Sequence, residues 1–251
     1  MKALILAAGR GSRLGELTKD KPKGLMPLAG KTLIEWQLDA LRNAGIAKIA
    51  MVRGYRGDLL EFTKVVFFEN TIWERTNMVS SLVCAGSWMK DDECIISYSD
   101  IVYPKETIDS LMHEKADICL TYNLDWWDVW KLRFEDPLED AETFRVDQNG
   151  MVTEIGGKTN SIDDIKGQYM GLLKFTPHGW NIIESYLLSL KPDEVAKLDM
   201  TSLLSRLIKN GVAIKGIPIQ GMWYEVDNEA DLKTYTSLVE KGKSWMNELI
   251  K

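Results

Sequence analysis

Histidine is nearly missing from this chain, with only His113 and His178 in 251 residues. A Ser-His-Asp hydrolase needs one histidine as general base and a histidine-based metal centre needs several, so both classes are disfavoured. The two histidines are expected near helix boundaries instead. Cysteine is almost as scarce. Cys84, Cys94 and Cys119 lie far apart with no C-x-x-C spacing, which points away from a zinc site and from a disulfide framework. Their settings, SLVCAG, DECIIS and DICLTY, predict buried thiols. No apolar run reaches the roughly 18 residues of a membrane span, and the apolar part of MKALILAAGRGSR is too short for a signal peptide, so a cytoplasmic location is expected. Excess positive charge is lacking too. The formal net charge is −6 and no basic stripe with interleaved aromatics occurs, which argues against nucleic acid as a partner. Repeats, low-complexity stretches and linkers are absent, so one domain over residues 1–251 is expected.

What is present is an alternation of β-type and helical segments. Apolar β-type runs occur at 2–7, 47–52, 64–69, 93–98, 116–122, 168–175 and 213–218, and helix-period segments near 32–44, 56–63, 78–89, 104–113, 178–190 and 199–210. That order implies a mostly parallel sheet with helices on both faces. Between 123 and 160 the pattern changes. AETFRVD and MVTEIGG, separated by QNG, read as a hairpin, so a small β-rich lid insertion is expected over about 123–167. Leu232, Tyr235, Leu238, Val239, Trp245, Met246 and Leu249 fall at helical spacing and predict one closing amphipathic helix.

The opening stretch, LILAAGRGSRLGELTKDKPKGLMPLAGKT, imitates two phosphate cradles and matches neither. A dinucleotide fingerprint needs G-x-G-x-x-G, but Leu14 stands where the third glycine belongs. A P-loop needs four residues between its glycines; Gly24 and Gly30 have five, and Pro27 removes an N–H donor. AGKT therefore reads as a turn at Gly30 with Thr32 capping the next helix. What remains is a strand running into a small-residue loop. Residues 10–23 carry Arg10, Arg13, Lys19, Lys21 and Lys23 against Glu16 and Asp20, a local excess of +3 in an acidic chain. Such a reversal suits an anionic ligand. In an open α/β sheet, ligands bind beyond the carboxyl ends of the strands, which is where this loop lies.

LAAGRGSRL, then PKGL, then GKTLI resembles the signature of nucleotidyltransferases that join a nucleoside triphosphate to a phosphorylated acceptor. VRGYRGDLL, TNMVSSL, ISYSDIVY, GQYMGLLKF and YEVDNEADL follow as further landmarks in order. The resemblance is nearest to small bacterial cytidylyltransferases acting on phosphocholine or aminoalkylphosphonates. It departs from the pattern at Gly15, where a proline is common, and at Ser99, where a glycine often precedes the aspartate. It implies a Rossmann-like three-layer α/β sandwich with a mixed sheet, CTP and a small phosphate or phosphonate acceptor as partners, and Mg²⁺ as cofactor. Oligomeric state stays open, with a homodimer as one option.

Backbone N–H groups near Leu6, Ala8, Gly9, Gly11 and Ser12 are suited to cradle the nucleotide, because glycine admits close approach. Arg13 is then placed to clamp the leaving phosphates and Lys23 to neutralise the α-phosphate. Mg²⁺ takes one or two protein carboxylates plus phosphate oxygens. The resemblance implies Asp100 and Asp227, both at strand ends, as these ligands, and strand alternation puts Glu225 on the face of Asp227. Asn77 and Ser81 are candidates for the base, or caps of the following helix. For the acceptor, DWWDVWKLRF offers Trp126, Trp127 and Trp130 as a cage for a quaternary ammonium, with Lys131 and Arg133 adjoining. The alternative for these tryptophans is ordinary core packing. By resemblance, Lys158 meets the acceptor phosphate and Tyr169 lies near it. Two competing functions remain at this level: a sugar-1-phosphate nucleotidyltransferase using UTP, TTP or GTP, and a nucleotide-sensing protein of this fold without catalysis.

Overall fold

Strand β1 (Lys2–Ala7) is buried at every residue, as a parallel strand covered on both faces must be. Its side chains alternate between two cores: Leu4 and Leu6 enter one, and Ala3, Ile5 and Ala7 the other. The computed structural model describes residues 1–221 and 223–248. The remaining strands of the main sheet are β2 (Ile49–Arg53), β3 (Val65–Glu69), β4 (Cys94–Tyr98), β5 (Ile118–Asn123), β6 (Gln168–Phe175) and β7 (Lys215–Ile219). They lie in the order β7-β5-β6-β4-β1-β2-β3. All are parallel except β6, which runs antiparallel to both β4 and β5.

Helices α1 (Leu33–Asn43), α2 (Met78–Cys84), α3 (Lys105–His113), α4 (Trp126–Arg133), α5 (Pro177–Leu188), α6 (Pro192–Lys197), α7 (Met200–Lys209) and α8 (Glu229–Glu240) complete the layers. The core on one face takes its apolar side chains from α1, α3 and α4, including Ile34, Leu111 and Trp126. The core on the other takes them from α2, α5 and α7, including Leu82, Trp180 and Leu204. This is the Rossmann-like three-layer arrangement with a mixed sheet. A third apolar cluster, with Leu14, Met26, Trp36 and Tyr235, fastens α8 to the opening loop and to α1. Among the described residues no helix is long and apolar enough to cross a membrane.

Several expectations are corrected. Residues 56–63 form only a single 3₁₀ turn, Gly57–Leu59, and the segment 78–89 breaks at Ala85, where φ departs from helical values. The closing helix stops at Glu240; Gly242 turns the chain with φ 68° before a short 3₁₀ turn at Trp245–Glu248. Leu249 lies outside the described residues. The insertion contains the expected hairpin, Phe144–Val146 against Val152–Ile155, but it opens with α4, so it is not purely β-rich. Its buried residues, Trp126, Val129 and Trp130, follow the i, i+3, i+4 spacing of one helix face. Cys94 and Cys119 are buried whereas Cys84, at the end of α2, is exposed. The histidines lie at helix boundaries, His113 last in α3 and His178 second in α5.

The strand order reverses between β1 and β4, each the start of a run outward. A crevice opens at the carboxyl end of such a pair. The loop of residues 8–23 leaves β1 there, and Ser99 and Asp100 leave β4 beside it.

Candidate active site

Gly11 determines how the first loop folds. It sits at φ 74°, ψ 51°, a left-handed conformation that side chains disfavour. A Cβ on it would lie 2.7 Å from Lys23 Cβ and 2.8 Å from Lys23 Cδ. The glycine thus makes room for the stem of Lys23, which passes through the loop with only 6% exposure. Its Nζ donates to Asp100 Oδ2 at 2.8 Å and to Asp227 Oδ1 at 2.7 Å.

A two-residue ladder holds those carboxylates together. Tyr224 pairs with Val102 and Glu225 with Ile101, antiparallel, and the Val226 N–H donates to the Asp100 carbonyl at 2.9 Å. Residues more than a hundred positions apart are thereby registered to within one peptide. Arg13 Nη2 approaches Asp227 Oδ1 at 3.0 Å from a side chain that is 70% exposed. On the other side, the wholly buried Arg133 uses all three nitrogens. Nη1 donates to Glu225 Oε2 at 2.9 Å, Nη2 to Asp227 Oδ2 at 3.2 Å, and Nε to Asp231 Oδ1 at 3.1 Å.

The electrostatics follow from this packing. Burial alone would lower the Lys23 pKa, but Asp100 and Asp227 outweigh it and hold the ammonium above its ordinary value. Burial alone would raise Asp227, yet Lys23, Arg13 and Arg133 keep its carboxylate below the usual range. Glu225 goes the other way, raised by burial and by the neighbouring Asp227 charge despite Arg133. Asp100 Oδ1 is buried without a hydrogen-bond partner. An unsatisfied buried carboxylate oxygen is costly and suits a cation supplied with a ligand. Among the described residues no group of three or more His, Cys, Asp and Glu could hold a metal. A metal here would rest on Asp100 and Asp227 together with oxygens of its own ligand, which is how Mg²⁺ is commonly held.

Two cavities lie along the first loop, one lined by Ala8 and Gly9 and the other by Arg13. The smaller, about 140 Å³, is lined by Leu6, Ala8, Gly9, Trp73, Asn77 and Ser81, among others. The candidates for the base thus come together, although both side chains also have structural partners. Asn77 Oδ1 accepts from the Met78 N–H at 2.8 Å as the N-cap of α2, and Ser81 Oγ accepts from Asn70 Nδ2 at 3.0 Å. Ser12 is exposed on the connecting loop. Of the other loop cations, Lys19 pairs with Glu16 and Arg10 lies over the Tyr55 ring.

The larger cavity, about 250 Å³, is bounded by Arg13, Glu225 and Asp227 at one end, by aromatic rings of Tyr98, Trp130, Phe144 and Tyr169, and by Asp140 and Glu142. Of the three tryptophans only Trp130 lines it. Trp126 is 4% exposed and belongs to the core, edge-on to Trp127 and Trp130. Trp127 packs against that core from its surface. A three-tryptophan cage is therefore not formed: Trp126, one turn before Trp130 on the same helix face, is taken up in the core, and Trp127 packs on the outer edge of that core. The neighbouring cations are also engaged elsewhere. Lys131 pairs with Asp128 at 2.7 Å, and Arg133 is taken up by the three carboxylates. Lys158 is exposed and does not line the cavity, though its charge acts on Glu142. Tyr98, Phe144, Asp140 and Glu142 were not singled out from the sequence; only the acidic run EDAE carried a signal.

Residues 3–141 match the MobA-like NTP transferase domain model, more than half of the chain. The chain belongs to this family. Across 93% of its length it is 37% identical to the CTP:phosphoglutamine cytidylyltransferase of Campylobacter jejuni, 98% of which is covered. It is 34% identical to the 2-aminoethylphosphonate cytidylyltransferase of Lancefieldella rimae over 42% of this chain and 45% of that one. The inositol-1-phosphate CTP transferase from T. maritima has the same fold, with a TM-score of 0.73 at 20% identity over 95% of this chain and 96% of that one. The protein is an enzyme of the nucleotidyltransferase class.

Proposed function

We propose that the protein is a Mg²⁺-dependent cytidylyltransferase that moves CMP from CTP to a small phosphate or phosphonate monoester and releases pyrophosphate. The observation that carries this reading is the Lys23 ammonium held 2.8 Å from Asp100 and 2.7 Å from Asp227 where the nucleotide loop meets the larger cavity. Cytosine and the acceptor class are supported by the two cytidylyltransferase relatives, each named for a phosphorylated or phosphonate acceptor.

In this reading the smaller cavity takes the base and the loop from Ala8 to Arg13 takes the triphosphate. An acceptor oxygen forms a bond to the α-phosphorus as the bond to the bridging oxygen breaks, and that electron pair leaves with pyrophosphate. The oxygen is already anionic near neutral pH, so no general base is required and the scarcity of histidine is no handicap. Lys23 moves its hydrogen bonds from the carboxylates to the α-phosphate, where negative charge grows. Arg13, with a largely exposed side chain, reaches the leaving phosphates. Asp100 and Asp227 would hold Mg²⁺, whose charge offsets that of the phosphates when it is bound.

The larger cavity receives the acceptor. Its rings and the carboxylates of Asp140 and Glu142 suit an organic group bearing an ammonium. Burial raises the Glu142 pKa above its usual value, and a bound ammonium would relieve that cost. Trp130→Ala should therefore raise the acceptor KM several-fold while leaving that for CTP nearly unchanged. Both truncations should lower Tm, with a loss of roughly 3–5 kcal/mol for a core tryptophan, since Trp130 is as buried as Trp126 in the same core, but Trp126→Ala should leave the ratio of the two KM values alone. Kinetics beside thermal melts check both, and equal KM effects from the two variants would remove Trp130 from the acceptor site.

The reading as a whole is tested by a pyrophosphate-release screen of four NTPs against phosphocholine, aminoethylphosphonate, phosphorylated amino acids and sugar 1-phosphates. Turnover with CTP and a small phospho-acceptor is expected. Efficient turnover of glucose 1-phosphate with UTP would overturn it, and no turnover with any pair would favour a nucleotide sensor.

A further inference from the structure

Asp227 has its two carboxylate oxygens assigned to different neighbours. Oδ1 faces the crevice, where Lys23 meets it at 2.7 Å and Arg13 at 3.0 Å. Oδ2 faces inward to Arg133 at 3.2 Å. The outer partners can exchange: Arg13 is 70% exposed, and Lys23 is a flexible chain whose two acceptors are both carboxylates of the site. The inner partner cannot. The Arg133 side chain has no exposed surface, and its guanidinium is fixed at Nε by Asp231 and at Nη1 by Glu225. Asp231 is itself immobilised: Oδ2 accepts from the Asp227 N–H at 2.8 Å and from the Asn228 N–H at 3.2 Å, closing the first turn of α8. The guanidinium also lies about 5.1 Å from the Trp130 ring centroid, on the wall of the larger cavity.

From this arrangement we infer that Arg133 is a positioning residue that anchors Asp227 through Oδ2, so that Oδ1 is offered in one direction to an exchangeable cation. The inference rests on the proposed role of Asp227 in holding Mg²⁺ and adds to it. When Lys23 leaves Oδ1, Asp227 remains paired and does not swing; a lone buried carboxylate would otherwise rotate or take up a proton. A planar fork suits this task because its three engaged nitrogens are spread in fixed directions towards three carboxylates, whereas an ammonium presents all its donors from one nitrogen with no fixed orientation. Partners of this kind, behind a metal-binding side chain, typically change metal affinity on the order of 10–100-fold when removed.

The test uses the full chain and Mn²⁺ alone as probe, with free Mn²⁺ read by its electron paramagnetic resonance signal. Arg133→Met should weaken Mn²⁺ binding by about 10–100-fold, and Arg133→Lys, which keeps the charge and loses the fork, should recover only part of that loss. Tm is measured beside each titration, and Arg133→Lys carries the test if Arg133→Met does not fold. A purely structural role predicts a lower Tm with the Mn²⁺ Kd of the folded protein unchanged; that result would overturn the inference. Asp227→Asn separates the two levels. If it binds Mn²⁺ as the parent does, the metal role of Asp227 fails and the inference with it. If it loses binding while both Arg133 variants keep it, only the inference fails.

Discussion

Asp100→Ala is expected to lose nucleotidyl transfer by more than about 10³-fold, at least the loss seen when one oriented stabilising group is removed from a reaction centre, while its Tm stays close to that of the parent. The reason is an asymmetry within the cluster. Asp100 has one oxygen on Lys23 and one buried oxygen without a partner, so its removal deprives Lys23 of one bond and relieves an unsatisfied atom. Lys23 keeps Asp227. Asp227→Ala should lose activity at least as far but should also melt earlier. It leaves Arg133 and Lys23 with fewer partners in a buried setting, and stripping one member from a buried ion cluster costs about 3–5 kcal/mol. Steady-state assays at saturating Mg²⁺ beside calorimetry measure both quantities. Near-normal turnover in the Asp100 variant would remove it from the reaction centre, and equal Tm losses in the two variants would contradict the asymmetry.

Lys23→Met should lower kcat by on the order of 10²–10³, the effect of deleting one preorganised donor, with little change in the KM for CTP. The side chain keeps its bulk against Gly11, so packing of the loop survives. The same substitution has a second effect of opposite sign. The Lys23 ammonium sits on Asp100 and Asp227, the carboxylates that the proposed function gives to the metal, and would compete with it. Without that ammonium, Mn²⁺ should bind the free protein more tightly than it binds the parent. Slower turnover together with tighter cation binding is a pair of changes that general damage to the loop does not produce. Unchanged kcat with a raised KM would show that Lys23 serves ground-state binding instead.

Much of this was legible in the chain itself because local rules and tertiary structure agree. β1 is apolar on both faces, so its burial and central place follow from KALILA. Thr32 caps α1 in a capping box with Glu35, as TLIE suggests. The candidates that strand and loop position gathers, Leu6, Ala8 and Gly9 from β1 and its loop with Asn77 and Ser81 from α2, do line one cavity. What failed depended on position along a short helix or on distant partners. Nothing in DWWDVWKLRF says which tryptophan turns towards the cavity, since all three are equally apolar and the deciding contacts, such as Trp130 with Trp223, come from elsewhere. Arg133 looks like a free cation in sequence, and only the fold shows three carboxylates closing on it from 92 to 98 residues away. Asp140 and Glu142 escaped notice because acidic residues in an insertion are usually solvated.

The two-residue ladder between Ile101–Val102 and Tyr224–Glu225 has a consequence for how activity arises in time. All seven strands of the main sheet end by Ile219, before the second strand of the ladder and before Asp227. Until Tyr224–Glu225 docks, Lys23 has Asp100 but not Asp227 as a partner. Pairings of high sequence separation close late, because the entropy of the intervening loop is lost before their contacts form. The ion cluster is therefore expected to be completed by the short segment Tyr224–Asp227 docking onto a sheet that has already formed.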